Sequence, residues 1–368
     1  MSRPVHGGNL LWAADLAGCS PNHILDFSAS INPLGPPQSA IAAIQAHLDT
    51  LTAYPDPSYS ALCQGLSDIH QLPLDWFLPG NGSAELLTWA CRDLARCAWT
   101  GVLTPAFADY RRALSAFQGQ IRSFPLDVQR PWGLSLNDRM NRVLTRVGQA
   151  IDSAQCGLLL NTPHNPTGQL LDRKQVEKFL EQFALVVVDE AFIDFLPSEA
   201  QESLIARVQE FPNLVILRSL TKFYSLPGLR LGYAIGHPDR LKKWQKWRDP
   251  WSVNSLAIAA GLAVLQDHTF QCQTWNWLPP SRDQLWTGLA ELPGFYPWPS
   301  AANFLLVATD YSVPGLQMAL LQRHQILIRD CLSFPELGAQ YFRVAVRSYA
   351  DNQRLLLALA DCLPERVN

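Results

Sequence analysis

Through the middle of the chain, short uninterrupted apolar runs alternate with stretches in which polar and apolar residues recur at helical spacing. GVLTP from 101, GLLLNTP from 157, ALVVVDEAF from 184, NLVILRSL from 213 and LGYAIG from 231 are apolar on consecutive positions, as strands covered on both faces must be. Between them, LDRKQVEKFLEQF (171–183) has helical periodicity and charged residues in its first turn. The alternation predicts a large α/β domain with a mostly parallel central sheet. After about residue 255 the pattern changes. NSLAIAAGLAVLQ reads as a helix, NFLLVAT, ILIRD and YFRVAV as strands, and DNQRLLLALADCL as a final helix. A smaller α+β domain is expected from residues 1–38 and 255–368, beside a large domain of 39–254. No linker or repeat separates them, so the two should pack closely, with the cleft between them as the default ligand site.

Composition narrows the class of protein. The 368 residues are 48% hydrophobic and 17% charged, with a formal net charge of -3. That balance gives no electrostatic reason to expect nucleic acid or an acidic membrane as partner. Eight cysteines are scattered without a CxxC pair, which points to reduced thiols and to neither a zinc ribbon nor a disulfide framework. The start, MSRPVHGGNLLWAADLAG, lacks the basic and apolar regions of a signal peptide, and no segment is apolar for long enough to cross a bilayer. A cytoplasmic enzyme is the expectation. Lys242, Lys243 and Lys246 alternate with Trp244 and Trp247 in RLKKWQKWRDPW, a mixture able to grip single strands. It reads equally as a helix with a solvated basic face.

Five segments carry candidate chemistry. In SLTKFYSLPGLRLGYAIG (219–236), Ser219, Thr221 and Arg230 offer hydroxyl and guanidinium donors for a phosphate beside Lys222, an amine able to form an imine. For an isolated SxTK, a solvated loop is the favoured reading. VVVDEAF puts Asp189 at the C-terminal end of a buried strand, where α/β sheets present ligand-binding groups. A carboxylate there can pair with a protonated pyridine nitrogen. NTPHNPTG sets Asn165 in a turn from which it can donate to a phenolic ring oxygen. In PGNGSAELLTWA, the N–H groups of Gly82, Ser83 and Ala84 open a helix and can bind phosphate. TPAFADY sets Phe107 just beyond a strand, either to stack on a cofactor ring or to pack in the core. Singly each motif is weak; together they point to pyridoxal 5'-phosphate (PLP), a small amino-acid substrate, and Lys222 as catalytic residue.

The order GNGSAE, TPAF, NTPHNPTG, DEAF, SLTKFYSLPGLRLGY resembles the fold-type I aminotransferase superfamily over nearly the whole chain. Within it the sequence is similar to histidinol-phosphate aminotransferases and, more closely, to the L-threonine-O-3-phosphate decarboxylases of cobalamin biosynthesis. The resemblance implies the fold-type I architecture and a homodimer with shared active sites. In such a dimer Tyr54, in AYPDPSY, would reach the cofactor phosphate of the partner subunit. Its alternative is a turn tyrosine beside Pro55 and Pro57. One departure stands out: Phe192 occupies the position of the usual tyrosine in DEAY, leaving Asn165 as the motif residue available to the ring oxygen.

VHGGN, DFSASINPLGPP, HQILIRDCLSFPELG and YFRVAVRSYADNQRLL look like the substrate-side segments of the decarboxylases. By that resemblance Arg329, His6, Gly7 and Asn32 would hold a substrate phosphate and Arg343 a carboxylate, with Arg347 a third cation nearby. Ion pairing with acids such as Asp330 or Asp351 is the structural alternative. The implied reaction is decarboxylation of O-phospho-L-threonine to (R)-1-amino-2-propanol phosphate, with O-phosphoserine as a close variant substrate and a histidinol-phosphate or related aminotransferase as the competing reading. Which bond at Cα breaks depends on which one stands perpendicular to the cofactor ring. A salt bridge from Arg343 to the carboxylate holds that group more tightly before reaction than after it, so Arg343 alone does not favour decarboxylation.

Overall fold

A computed structural model describes residues 3–128, 136–150 and 153–363; residues 1–2 and 364–368, the outer ends of the expected small domain, lie outside them. After the short strand β1 (Leu25–Asp26), the chain forms β2 (Phe77–Asn81), β3 (Thr100–Thr104), β4 (Ile121–Pro125), β5 (Gly157–Asn161), β6 (Leu185–Asp189), β7 (Leu214–Ser219) and β8 (Leu231–Gly236). The last seven make one sheet in the order β2-β8-β7-β6-β5-β3-β4. It is parallel from β7 to β4, and β8 runs antiparallel to both its neighbours. Every residue of β3, β5, β7 and β8 is buried. Burial on both faces is why these runs show no alternation of apolar and polar positions.

The chain leaves β3 for the edge strand β4 and returns to build β5 on the opposite side of β3. That reversal opens a crevice at the C-terminal strand ends, where open α/β sheets bind ligands. Phe107 follows β3 and Asn165 follows β5, so both expected cofactor residues lie beside it.

The second sheet contains β9 (Phe295–Pro297), β10 (Phe304–Thr309), β12 (Arg329–Asp330) and β13 (Tyr341–Ala345), antiparallel in the order β12-β13-β10-β9. Between its strands, β11 (Ile326–Leu327) pairs with β1, which ties the N-terminal arm to the C-terminal segment. One continuous apolar core runs from Leu160 and Val188 of the large sheet to Phe304 and Phe342 of the small one. The expected close packing follows from that core. In the basic segment, helix Pro238–Gln245, Trp244 is fully buried, Lys243 pairs with Asp93 at 2.5 Å, and Trp247 lies under Arg92 at 4.2 Å. Both tryptophans serve packing. Among the described residues no helix is long and apolar enough to cross a membrane.

Candidate active site

Side chains alternate along a strand, and the register of β6 with β7 sets Asp189 opposite Leu217. Asp189 and Ser219 therefore face one side of the sheet ends, while Glu190 and Arg218 face the other. On that other side Arg218 Nε donates to Glu190 at 2.8 Å, and Arg218 also pairs with Asp194. This buried cluster anchors the two strand ends from behind.

On the front side, Thr221 Oγ1 lies 2.7 Å from Ser219 Oγ and accepts from Lys222 Nζ at 3.2 Å. Burial lowers the Lys222 amine to about 8; Asp189 opposes that effect, and Arg230 and Arg343 add to it. Nζ lies 5.9 Å from the centre of the Phe192 ring, where a tyrosine would have brought a hydroxyl. Asp189 accepts from Tyr110 Oη at 2.7 Å through Oδ2 and from the Ala191 N–H at 3.0 Å through Oδ1. Burial raises the pKa of Asp189, and both hydrogen bonds and the charge of Lys222 work against that rise.

The helix Ser83–Leu94 begins at Gly82 with no side-chain cap, and its first N–H groups have no carbonyl within the helix to bond. Gly82 has φ +74°, and a Cβ there would lie 2.4 Å from a terminal nitrogen of Arg230. A Cβ on Gly232 would lie 2.5 Å from the Ser83 nitrogen. The two glycines thus keep open a cradle of N–H groups and one guanidinium, suited to a phosphate.

The second sheet supplies further side chains to the site. Arg329 and Arg343 are partners in the register of β12 and β13. Arg343 donates to Asn165 Oδ1 at 2.6 Å, which orients the Asn165 NH2 as the free donor, and its guanidinium lies 4.6 Å from the Phe304 ring centre. Burial, with Arg329 adding to it, lowers Arg343 to about 10. Arg329 donates to the Val5 carbonyl and, at 2.7 Å, to Ser333 Oγ. His6 lies 3.4 Å from Asp109 and its ring 5.6 Å from that of Phe107. Gly7 packs so closely that a Cβ would meet the Ser28 carbonyl oxygen at 2.2 Å.

His6, Gly7, Phe107, Asn165, Thr221, Lys222, Arg230, Arg329 and Arg343 line one cavity of about 560 Å³, a volume typical of small-ligand sites. Gly82, with Ser83 and Ala84, adjoins it through Arg230, Ser219 through Thr221, and Asp189 through its interaction with Lys222. Asn32 is not among the residues that line this cavity. It is 1% exposed, its Nδ2 donates to the Phe223 carbonyl and Thr274 Oγ1, and its Oδ1 accepts from the Leu34 N–H. A buried amide must satisfy its hydrogen bonds within the protein, so Asn32 braces the chain behind Lys222, whose carbonyl its own N–H also bonds. Ser30 lines the cavity, with a buried Oγ that has no hydrogen-bond partner among the described residues. Arg347 pairs with Asp351 at 3.2 Å, the structural alternative for this residue. Tyr54 is 80% exposed, its ring lies tilted against that of Trp251 at 4.6 Å, and it does not line the cavity of its own chain. The sequence reading missed Ser30 and Tyr110; both stand inside quoted motifs, DFSASIN and TPAFADY.

A pyridoxal phosphate needs an amine, a carboxylate for its ring nitrogen and a bed for its phosphate, and the strand ends here present all three within one crevice. Lys222 would hold the aldehyde carbon, Asp189 the ring nitrogen, and Ser83, Ala84, Ser219, Thr221 and Arg230 the phosphate. Fold and site together define a fold-type I PLP enzyme. The family model of aminotransferase class I and II matches residues 22–359. The chain is 41% identical over 365 residues to a threonine-phosphate decarboxylase of Salmonella typhimurium, covering 98% of this chain and 96% of the relative. It is 34% identical over 348 residues to a histidinol-phosphate aminotransferase of Symbiobacterium thermophilum, covering 93% and 91%. It shares its fold with the histidinol-phosphate aminotransferase of Sinorhizobium meliloti solved in complex with pyridoxal-5'-phosphate, with a TM-score of 0.82 at 22% identity over 98% of this chain and 95% of that one. The chain belongs to the class I and II aminotransferase family, and PLP is its cofactor.

Proposed function

We propose that this enzyme decarboxylates O-phospho-L-threonine to (R)-1-amino-2-propanol phosphate in cobalamin biosynthesis, with O-phosphoserine as a close variant substrate. The observation that carries the reading is the facing pair Arg329 and Arg343 in the same cavity as Lys222, two cations for a substrate with two anionic groups. The 41% identity to a threonine-phosphate decarboxylase supports the same reading.

The bound cofactor supplies a ring that accepts the electron pair left when a bond at Cα breaks. Arg329, with His6 and the Gly7 N–H, holds the substrate phosphate, and Ser30 offers its unpartnered hydroxyl to the same substrate. Arg343 orients the carboxylate while donating one N–H to Asn165. A shared guanidinium grips the carboxylate less tightly before the reaction, which eases its loss. The Cα–carboxylate bond breaks, CO2 leaves, and Lys222 Nζ delivers a proton to Cα. The enzyme works as a cytoplasmic homodimer of two-domain subunits, 39–254 forming the large domain and 1–38 with 255–368 the small one, and Tyr54 reaches the cofactor phosphate of the partner subunit.

Incubation of the PLP-loaded enzyme with O-phosphothreonine tests the reaction: release of CO2 and the amino alcohol phosphate is expected. Glutamate formed from 2-oxoglutarate and histidinol phosphate, with no CO2 from O-phosphothreonine, would make the enzyme an aminotransferase.

A further inference from the structure

Tyr110 carries none of the roles assigned above, yet it is 1% exposed and its hydroxyl donates to Asp189 Oδ2 at 2.7 Å. It lies in the first turn of helix Ala108–Ala116, directly after Phe107, and the two rings meet edge to face at 5.7 Å. One short segment thus carries both the aromatic ring at the crevice and the hydroxyl that reaches Asp189. The second carboxylate oxygen accepts from the Ala191 N–H, so Asp189 is fixed from two elements, its own strand end and the helix after β3.

A buried carboxylate without donors binds a proton in preference to carrying charge. A protonated Asp189 has no charge with which to hold the proton on a pyridine nitrogen. We infer that Tyr110 is a positioning residue that keeps Asp189 ionised and aimed at the ring nitrogen of the cofactor. The inference rests on the PLP reading of the site. Lys222 faces Asp189 from the loop after β7, Cys91 on helix Ser83–Leu94 and Asp109 on the helix of Tyr110 face the phenol, and Arg112 faces Cys91. All of these remain when only the phenolic oxygen is removed.

The test compares wild-type and Tyr110→Phe apoenzyme, titrated with PLP by tryptophan fluorescence from mildly acid to neutral pH. Loss of a hydrogen bond to a charged group is expected to weaken PLP binding about ten-fold. On acidification the affinity of the variant should begin to fall at a higher pH than that of the wild type, because Asp189 takes up its proton earlier. Inorganic phosphate, gripped by the cradle, should bind both proteins equally, and Tyr110→His, whose ring N–H can donate, should recover part of the loss. Equal PLP affinity and equal pH dependence in Y110F and wild type overturn the inference. So does a matching loss of phosphate affinity, which would make Tyr110 a general packing residue. Failure of the wild type itself to bind PLP refutes the reading of the site, and the inference with it.

Discussion

Arg329 and Arg343 stand directly opposite each other on the antiparallel strands β12 and β13. Like charges at such positions repel, and both guanidinium groups are further penalised by burial. An anion between them converts that repulsion into attraction. Hydrogen bonds to Val5 and Ser333 hold Arg329, one to Asn165 holds Arg343, and the pair favours any ligand that brings negative charge to this wall.

Anions should therefore stabilise the PLP-loaded enzyme. At ten times its dissociation constant a ligand adds about 1.4 kcal/mol, or roughly 2 °C in Tm. Differential scanning fluorimetry with inorganic phosphate should show that rise in the wild type and lose it in Arg329→Gln. The same substitution should raise KM for O-phosphothreonine about 10- to 100-fold with kcat much less affected, since it removes binding common to the ground and transition states. An unchanged KM would remove Arg329 from the substrate site.

Lys222 links stability to pH. Its folded amine titrates at about 8, against 10.5 for an ordinary lysine. Below pH 8 it is charged in both folded and unfolded states, and the fold carries the full cost of a buried charge. Between 8 and 10.5 only the unfolded chain keeps the proton, so this cost is relieved as pH rises. Lys222→Met apoenzyme should be more stable than wild type below pH 8, with the advantage shrinking through that window. Thermal melts across pH check it, and a pH-independent difference would speak against a lowered amine. The substitution should also abolish borohydride fixation of a pyridoxyl group and, with it, CO2 release.

Gly82→Ala tests the phosphate cradle. The position has φ +74°, and the new Cβ would collide with the Arg230 guanidinium at 2.4 Å. Strain of this kind costs about 1–3 kcal/mol, and the collision moves the group that would grip the phosphate. PLP affinity measured by equilibrium dialysis should fall by about ten-fold or more, while substitution at Gly228, where a Cβ meets nothing within 4 Å, should leave it unchanged.

Much of this was legible in the sequence because strands buried on both faces leave continuous apolar runs, and because Lys222, Asp189 and Asn165 each follow such a run directly. What stayed hidden depends on contacts distant in sequence or on loop geometry. After Asp26, the end of β1, the DFSASIN segment follows no regular strand, so nothing in the pattern tells that Ser30 turns into the cavity while Asn32 turns toward Phe223 and Thr274. Tyr110 meets Asp189 only because β3 and β6 lie on either side of β5. The cross-strand meeting of Arg329 and Arg343 likewise requires the register, which two separate arginine motifs do not specify.

Tyr54 bears on quaternary structure. Leu48 and Leu51 are exposed on the nearby 3-10 turn Leu48–Thr52, Leu51 by 61%, and the partly exposed Trp251 ring lies tilted against that of Tyr54. In the proposed dimer this apolar cluster is the face that meets a second copy of the chain, with Tyr54 assigned to the partner subunit's cofactor phosphate. Sedimentation velocity should show a dimer for the wild type and a monomer for Leu48→Glu/Leu51→Glu. Because neither leucine lines the cavity, any fall in PLP affinity of that monomer measures what the partner contributes. Tyr54→Phe should leave the dimer intact and weaken PLP by about ten-fold, the scale of one hydrogen bond to a charged group. A monomeric wild type, or a monomeric variant that binds PLP as tightly as the wild type, would show that each chain completes its own site.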